Sequence, residues 1–272
     1  MALPAPAPDC TAVVTGASSG IGAELAKVLA ARGFGVTLVA RREDRLRALA
    51  DELGANHGVK TEVIAADLTD PASRERVLTE IGERGLTPDV LINNAGFSTT
   101  GAVHASDPTK EIAMIRTDVE AVAHLCSLFL PGMVSRGRGA VLNVASTAAF
   151  QPLPGQAAYG ASKAFVESYS RAVRAELRGT GVMCTVLCPG PVETEFAVTA
   201  GFDEQEALNS LPKFMWVSAA DVAATAIKGL DKGKAVVIPG FSNRAAARIA
   251  LNTPRSILPP MLAKQHPALK NP

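Results

Sequence analysis

The stretch Thr11-Ala12-Val13-Val14-Thr15-Gly16-Ala17-Ser18-Ser19-Gly20-Ile21-Gly22 decides how the rest of the chain is read. A short β-forming run, Ala12-Val13-Val14, enters a loop with glycines at 16, 20 and 22, and a helical run from Ala23 to Ala31 follows. Glycine lets the backbone turn sharply and approach a ligand closely. The unpaired amides and positive dipole end of the following helix point at the same place. Strand, glycine turn and helix together make a cradle for a phosphate. The spacing departs from G-x-G-x-x-G, so this stretch alone leaves several nucleotide-binding folds open.

Working outward, apolar β-rich runs alternate with amphipathic ones. Val36 to Ala40 reads as a second strand, followed by a helix from Arg41 to Leu53 with Leu46, Leu49 and Leu53 on one face and Gly54 closing it. Val59 to Ala66 is a third strand ending at Asp67-Leu68, and Pro71 opens another helix. Asp89 to Ile92 is a fourth strand, ending in Asn93-Asn94-Ala95-Gly96. A long helix over Glu111 to Phe129, stopped near Pro131-Gly132, leads to the strand Ala140 to Val144. A helix from Tyr159 to Arg178, the strand Val182 to Cys188, a helix from Asp221 to Leu230 and a last strand from Ala235 to Ile238 complete the pattern. The strands are continuous apolar runs, which is the mark of a parallel sheet covered on both faces. The expected fold is α/β: one Rossmann-type doubly wound parallel sheet flanked by helices. It occupies residues 10–240, after an extension over 1–9 and before a basic extension over 241–272.

Composition narrows the function. Hydrophobic residues make up 47% and aromatics only 4%, so Ala, Val, Leu and Ile must fill a large two-sided core. A net charge of +1 argues against a general nucleic-acid binder. The charge is unevenly spread, because seven basic and no acidic residues follow Asp231, leaving 20 basic against 26 acidic through residue 231. Cys10, Cys126, Cys184 and Cys188 have no metal-ligand spacing, and no metal site is expected. Cys184 and Cys188 fall on one expected strand ~13 Å apart, beyond disulfide reach, so buried free thiols in a reducing compartment are expected. No signal peptide and no membrane-spanning run is evident, which suggests a cytoplasmic protein.

Ligands of open parallel sheets bind at the carboxyl ends of the strands. Gly16 to Gly22, Ala40-Arg41-Arg42, Asp67-Leu68 and Asn93 to Gly96 all lie there, able to meet one extended ligand. A chain selecting NAD would place a carboxylate about 20 residues beyond the glycines, but here Arg41 stands nineteen residues after Gly22. A guanidinium suits a 2′-phosphate, so NADP(H) is favoured over NAD(H). At the end of the fifth strand stands Ser146; Tyr159 and Lys163, four residues apart, share one helix face. An adjacent ammonium favours the ionised form of a phenol, so Tyr159 could exchange a proton with a substrate oxygen held by Ser146.

Together these residues resemble the short-chain dehydrogenase/reductase family, in its group with chains of about 250–280 residues. The matching pieces are Thr15-Gly16-Ala17-Ser18-Ser19-Gly20-Ile21-Gly22, Asp67, Asn93-Asn94-Ala95-Gly96, Ser146, Tyr159-Gly160-Ala161-Ser162-Lys163, and Pro189-Gly190 with Thr194. The resemblance implies NAD(P)-dependent interconversion of an alcohol and a carbonyl, with Ser146, Tyr159 and Lys163 catalytic. It places the cofactor against Gly16, Ser18, Ser19, Gly20, Ile21, Gly22, Arg41, Arg42, Asp67, Leu68, Asn94, Ala95, Gly96, Tyr159, Lys163, Pro189, Gly190, Val192 and Thr194. It also implies homodimers or homotetramers. One position departs from the family: its catalytic asparagine is matched by Asp118, which could preserve a proton relay or pair with Lys163 and weaken its effect on Tyr159.

Residues 196–217 carry Phe196, Phe202, Leu208, Leu211, Phe214, Met215 and Trp216 and read as a substrate loop. With Phe97, Phe150 and Leu153 they suggest an apolar substrate, lipid-, acyl- or steroid-like. The basic tail suggests contact with an anionic lipid surface or an acyl carrier, and hence membrane association, although packing against the acidic remainder also accounts for it. Three function classes compete: an NADPH-dependent reductase, a dinucleotide-binding regulatory protein without turnover, and a membrane-associated scaffold.

Overall fold

A computed structural model of the chain describes residues 3–200, 212–254, 260, 262–263 and 269. Its seven strands are β1 Cys10–Thr15, β2 Gly35–Ala40, β3 Thr61–Ala65, β4 Thr87–Asn93, β5 Gly139–Val144, β6 Val182–Leu187 and β7 Val236–Val237. All pair in parallel, in the order β3-β2-β1-β4-β5-β6-β7.

Alternate side chains of each strand reach opposite faces. Ala12, Val14, Val36, Leu38, Val90 and Ile92 pack on one side with α1 (Gly20–Ala30), α2 (Glu43–His57) and the helix Ala219–Asp231. Val13, Val39, Leu91, Val141 and Cys184 pack on the other with α3 (Pro71–Glu83), Ala121–Ser135 and Ala157–Glu176. In chain order the remaining helices are α4 (Pro108–Ile115), α5 (Ala121–Ser135), α6 (Ala157–Glu176), the short α7 (Phe196–Thr199), α8 (Ala219–Asp231) and α9 (Phe241–Asn252). Because β1 lies between β2 and β4, the strand order reverses beside it, and the loops leaving β1 and β4 diverge to open a crevice.

Two expected helix ends are corrected. Gly54 does not close α2; the helix runs on to His57 and stops at Gly58, whose φ of 64° supplies the left-handed turn. Pro131 and Gly132 do not stop α5, which continues to Ser135. Pro131 lacks an N–H for the Ser127 carbonyl, but both residues lie on the exposed side of the helix, where water can take that carbonyl. The expected helix over Glu111 to Phe129 is also not uniform. Between α4 and α5 the chain widens into a π-helical turn, Arg116–Glu120, that buries Thr117 and Asp118. Inserting such a turn re-aims the side chains it carries, and these turns gather at functional sites.

All four cysteines are free; three are buried and Cys10 is partly exposed. Among the described residues no helix is long and apolar enough to cross a membrane. Phe202, Leu208 and Leu211 of the expected substrate loop, and Arg255, Lys264 and Lys270 of the basic tail, lie outside the described residues.

Candidate active site

The glycine loop is fastened to the end of β4. The Thr15 hydroxyl donates to the Ile92 carbonyl at 3.2 Å and accepts from the amides of Asn94 and Ala95 at 2.9 and 3.0 Å. The Asn94 side chain donates to the Thr15 carbonyl at 2.9 Å. Two glycines make this closeness possible. Gly16 has a φ of 65°, and a Cβ on it would stand 2.8 Å from the Ala95 Cα; a Cβ on Gly22 would stand 2.3 Å from the Gly16 oxygen. Helix α1 starts at Gly20 behind Ser19, whose side chain makes no capping bond, so no side-chain cap takes up the first-turn amides. Backbone without side chains and uncapped helix amides suit the pyrophosphate of a dinucleotide. The opposite lip is Thr194, whose Cγ2 lies 3.2 Å from where a Gly20 Cβ would be.

The catalytic candidates meet further along the crevice. Ser146 ends the turn after β5; its Oγ accepts from the Ala148 amide at 3.1 Å and lies 3.5 Å from the Pro189 carbonyl. It also stands near enough to the Tyr159 phenol to pull its proton affinity down. One turn on in α6, the Lys163 Nζ lies 5.6 Å from the Tyr159 ring centre, donates to the Val144 carbonyl at 3.3 Å and pairs with Asp118 Oδ2 at 2.9 Å. Asp118 Oδ1 accepts from the Phe97 amide at 3.1 Å. Lys163 and Asp118 are both buried, and Gly96 leaves them room, since a Cβ there would come within 3.0 Å of the carboxylate and 3.2 Å of the ammonium.

These contacts set the proton affinities. Burial raises the Asp118 carboxyl above its ordinary range, against the opposing pull of Lys163 and the Phe97 amide. Burial acts to lower the Lys163 ammonium, but the Asp118 carboxylate, with Tyr159, outweighs it and holds Lys163 above the usual lysine value. Burial pushes the Tyr159 phenol up; Lys163 and Ser146 pull it down, and Asp118 adds to the rise. The expected ionising effect of Lys163 is therefore present but outweighed, because the phenol is dry and the cation already faces a carboxylate.

Apolar groups surround the phenol. Phe97, Leu153, Ala158 and Phe196 pack on a small core of Met114, Ala148 and Tyr159, and the Phe196 and Tyr159 ring centres are 5.7 Å apart. Phe150 instead joins a separate cluster with Val122, Val166 and Val186.

Of the other expected cofactor residues, Asp67 follows the end of β3 and holds the Thr69 amide at 3.0 Å, while Leu68 is buried in the core. Val192 bridges to Val217, and Gly190 abuts Asn243, whose side chain would meet a Cβ there at 2.3 Å. Arg41 is exposed at the end of β2. Arg42 reaches back to the glycine loop, donating to Ser18 Oγ at 2.9 Å and Ser19 Oγ at 2.7 Å, and pairs with Glu195 at 3.0 Å. Sequence reasoning missed four residues here. Asn143 was legible as a polar interruption in an apolar strand; buried, it accepts from Asn93 at 2.9 Å and donates to Ser170 of α6 at 2.9 Å, holding α6 in register. Glu195, Arg45 and Asn243 carried no local signal.

A family model described as short chain dehydrogenase matches residues 10–205. A very-long-chain 3-oxoacyl-CoA reductase from Anas platyrhynchos is 38% identical over 192 residues, covering 68% of this chain and 61% of that one. The matches to the first two curated relatives span 60% and 61% of their length. A short-chain dehydrogenase from Sphingobium yanoikuyae, solved in complex with NADPH, is 34% identical with a TM-score of 0.79, covering 88% of this chain and 91% of that one. A short-chain dehydrogenase/reductase from Burkholderia phymatum, solved with NAD, is 25% identical with a TM-score of 0.80 over 88% and 92% of the chains.

Asp118→Asn removes a carboxylate that raises the Tyr159 phenol, so the Tyr159 phenolate is expected to form at lower pH. Ultraviolet titration reads this directly, because the chain has two tyrosines and burial holds the other, Tyr169, far above the usual range. An unmoved Tyr159 midpoint in the variant contradicts the assignment.

Proposed function

This chain belongs to the short-chain dehydrogenase/reductase family, and on that footing we propose that it is an NADP(H)-dependent oxidoreductase interconverting a carbonyl and a secondary alcohol on an apolar, lipid-, acyl- or steroid-like substrate. One observation carries the reading: a buried Tyr159 phenol with the Lys163 ammonium 5.6 Å from its ring centre on the same helix and Ser146 near enough to act on it. When bound in the crevice, the nicotinamide cofactor supplies or takes up a hydride. The rest falls to the protein. In carbonyl reduction the Tyr159 phenol gives its proton to the substrate oxygen, which Ser146 Oγ holds by donating a hydrogen bond. Lys163 stabilises the phenolate left behind, and Asp118 keeps that lysine charged. A phenol held above its usual pKa is protonated at neutral pH, which is the form that gives a proton in carbonyl reduction.

The preference for NADP(H) over NAD(H) rests on Arg41 and Arg42 at the end of β2, next to the hydroxyls of Ser18 and Ser19. Guanidinium and hydroxyl donors complement a 2′-phosphate. The apolar substrate class is supported by Phe97, Leu153 and Phe196 around Tyr159, and is in keeping with the acyl substrate in the name of the Anas platyrhynchos relative. A second reading, an NADP-binding regulatory protein with little turnover, is favoured by the Asp118–Lys163 pair, which spends the lysine's charge on a carboxylate.

Assembly into dimers or tetramers is supported by Ile112 and Ile115 of α4 and Phe165 of α6, apolar side chains left exposed. Peripheral contact with an anionic membrane is supported by α9, where exposed Phe241, Ile249 and Leu251 accompany Arg244 and Arg248.

With NADPH and a panel of apolar ketones, Tyr159→Phe is expected to lower kcat by about 10²–10⁴-fold while NADPH binding persists. Turnover that survives in Tyr159→Phe contradicts the mechanism, and NADPH binding without turnover on any ketone in the parent supports the regulatory reading. In flotation with anionic vesicles, removal of residues 244–272 is expected to abolish binding; equal binding by both forms rules out the membrane contact.

A further inference from the structure

Glu195 makes a connection that the proposed chemistry does not require. Its carboxylate accepts from Arg42 Nη1 at 3.0 Å and from Arg45 Nη1 at 2.8 and 2.9 Å. Arg42 uses its remaining nitrogens on Ser18 and Ser19 of the glycine loop, at 2.7–3.2 Å. A carboxylate from the segment after β6 thus holds the same guanidinium that stands ready for a 2′-phosphate. On either side of Glu195 the chain touches the site. Thr194 lies against Gly20, and Phe196 opens α7 with its ring tilted 53° against that of Tyr159.

We infer that Glu195 is a latch and a specificity-determining residue. Its carboxylate stands in for the cofactor's 2′-phosphate on Arg42 and Arg45, and binding of NADP(H), but not NAD(H), displaces it and frees the Phe196 segment from the substrate side of Tyr159. The inference rests on the NADP(H) reading above. The arginines and Glu195 are 43–53% exposed, so each contact is screened by water and weak enough to be exchanged. A phosphate brings more charge and a third oxygen, and guanidinium forks bind it in pairs of hydrogen bonds. NAD(H) offers the arginines only ribose hydroxyls, which do not compete with a carboxylate.

The latch is tested by fluorescence titration of NADPH and NADH into the parent, Glu195→Gln, Arg42→Ala/Arg45→Ala and the triple variant. Removing an internal competitor of this exposed kind is expected to tighten NADPH by about three- to tenfold and to change NADH by less than about twofold. In the background lacking both arginines, Glu195→Gln is expected to have no effect. With NADH as cofactor, the KM for an apolar ketone is expected to fall in Glu195→Gln toward its value with NADPH. Unchanged NADPH affinity overturns the latch, as does equal weakening of both cofactors, which would make Glu195 a clamp over bound nucleotide. An unchanged KM overturns the link to the substrate side. If Arg42→Ala/Arg45→Ala binds NADPH as tightly as the parent, these two arginines do not hold the 2′-phosphate and the latch fails; the NADP(H) reading fails with it only if removing Arg41 as well leaves that affinity unchanged.

Discussion

A lysine ammonium and an aspartate carboxylate stand 2.9 Å apart in the interior, and the arrangement of the active site depends on keeping them there. Removing two ions from water costs several kcal/mol each, and their attraction repays it only with good geometry and further hydrogen bonds. The surroundings supply hydrogen bonds to each ion. Phe97 donates its amide to one carboxylate oxygen, Val144 offers its carbonyl to the ammonium, and Gly96 withholds a side chain where one would force the charges apart. The π-helical turn between α4 and α5 buries Asp118 at this spot. Such a pair is weak evidence for stability. It makes better sense as the means of fixing one charge state behind the Tyr159 phenol, in the role proposed for it.

The fold brings the parts together at the reversal of strand order. Thr15, Gly16 and Asn94 tie the loop after β1 to the end of β4, so the glycine loop and the segment carrying Gly96 are fastened together. From there the crevice has two ends. One holds Ser146, Tyr159 and Lys163 in apolar surroundings, and the other holds Arg42 and the hydroxyls of Ser18 and Ser19. The short stretch from Thr194 to Phe196 touches both, which gives the fold a covalent link between the arginine end of the crevice and the Tyr159 end.

Much of this was legible in the sequence, for physical reasons that also explain the failures. Strands buried on both faces must be continuous apolar runs, so Val36 to Ala40 and Ala140 to Val144 read as strands unaided. The glycine loop and the Tyr159–Lys163 spacing are local patterns with local causes. Gly54 and Pro131 misled because breaker residues act through backbone groups, and in α2 and α5 packing and exposed carbonyls absorbed the cost. The aspartate at 118 could be named, but not its setting in a π-helical turn, since one extra residue in a helical turn leaves no periodic trace. Glu195 was invisible altogether. Its partners Arg42 and Arg45 lie 153 and 150 residues away, and nothing in the neighbouring sequence encodes that meeting.

The account stands on the charge state of Lys163. Heteronuclear NMR titration of its side-chain nitrogen, in the full chain, reads that state directly. With Asp118 ionised beside it, the ammonium is predicted to persist above the range where ordinary lysines lose their proton. Deprotonation at or below that range would mean that burial prevails over Asp118, and the buried pair would not be the organising charge of this site.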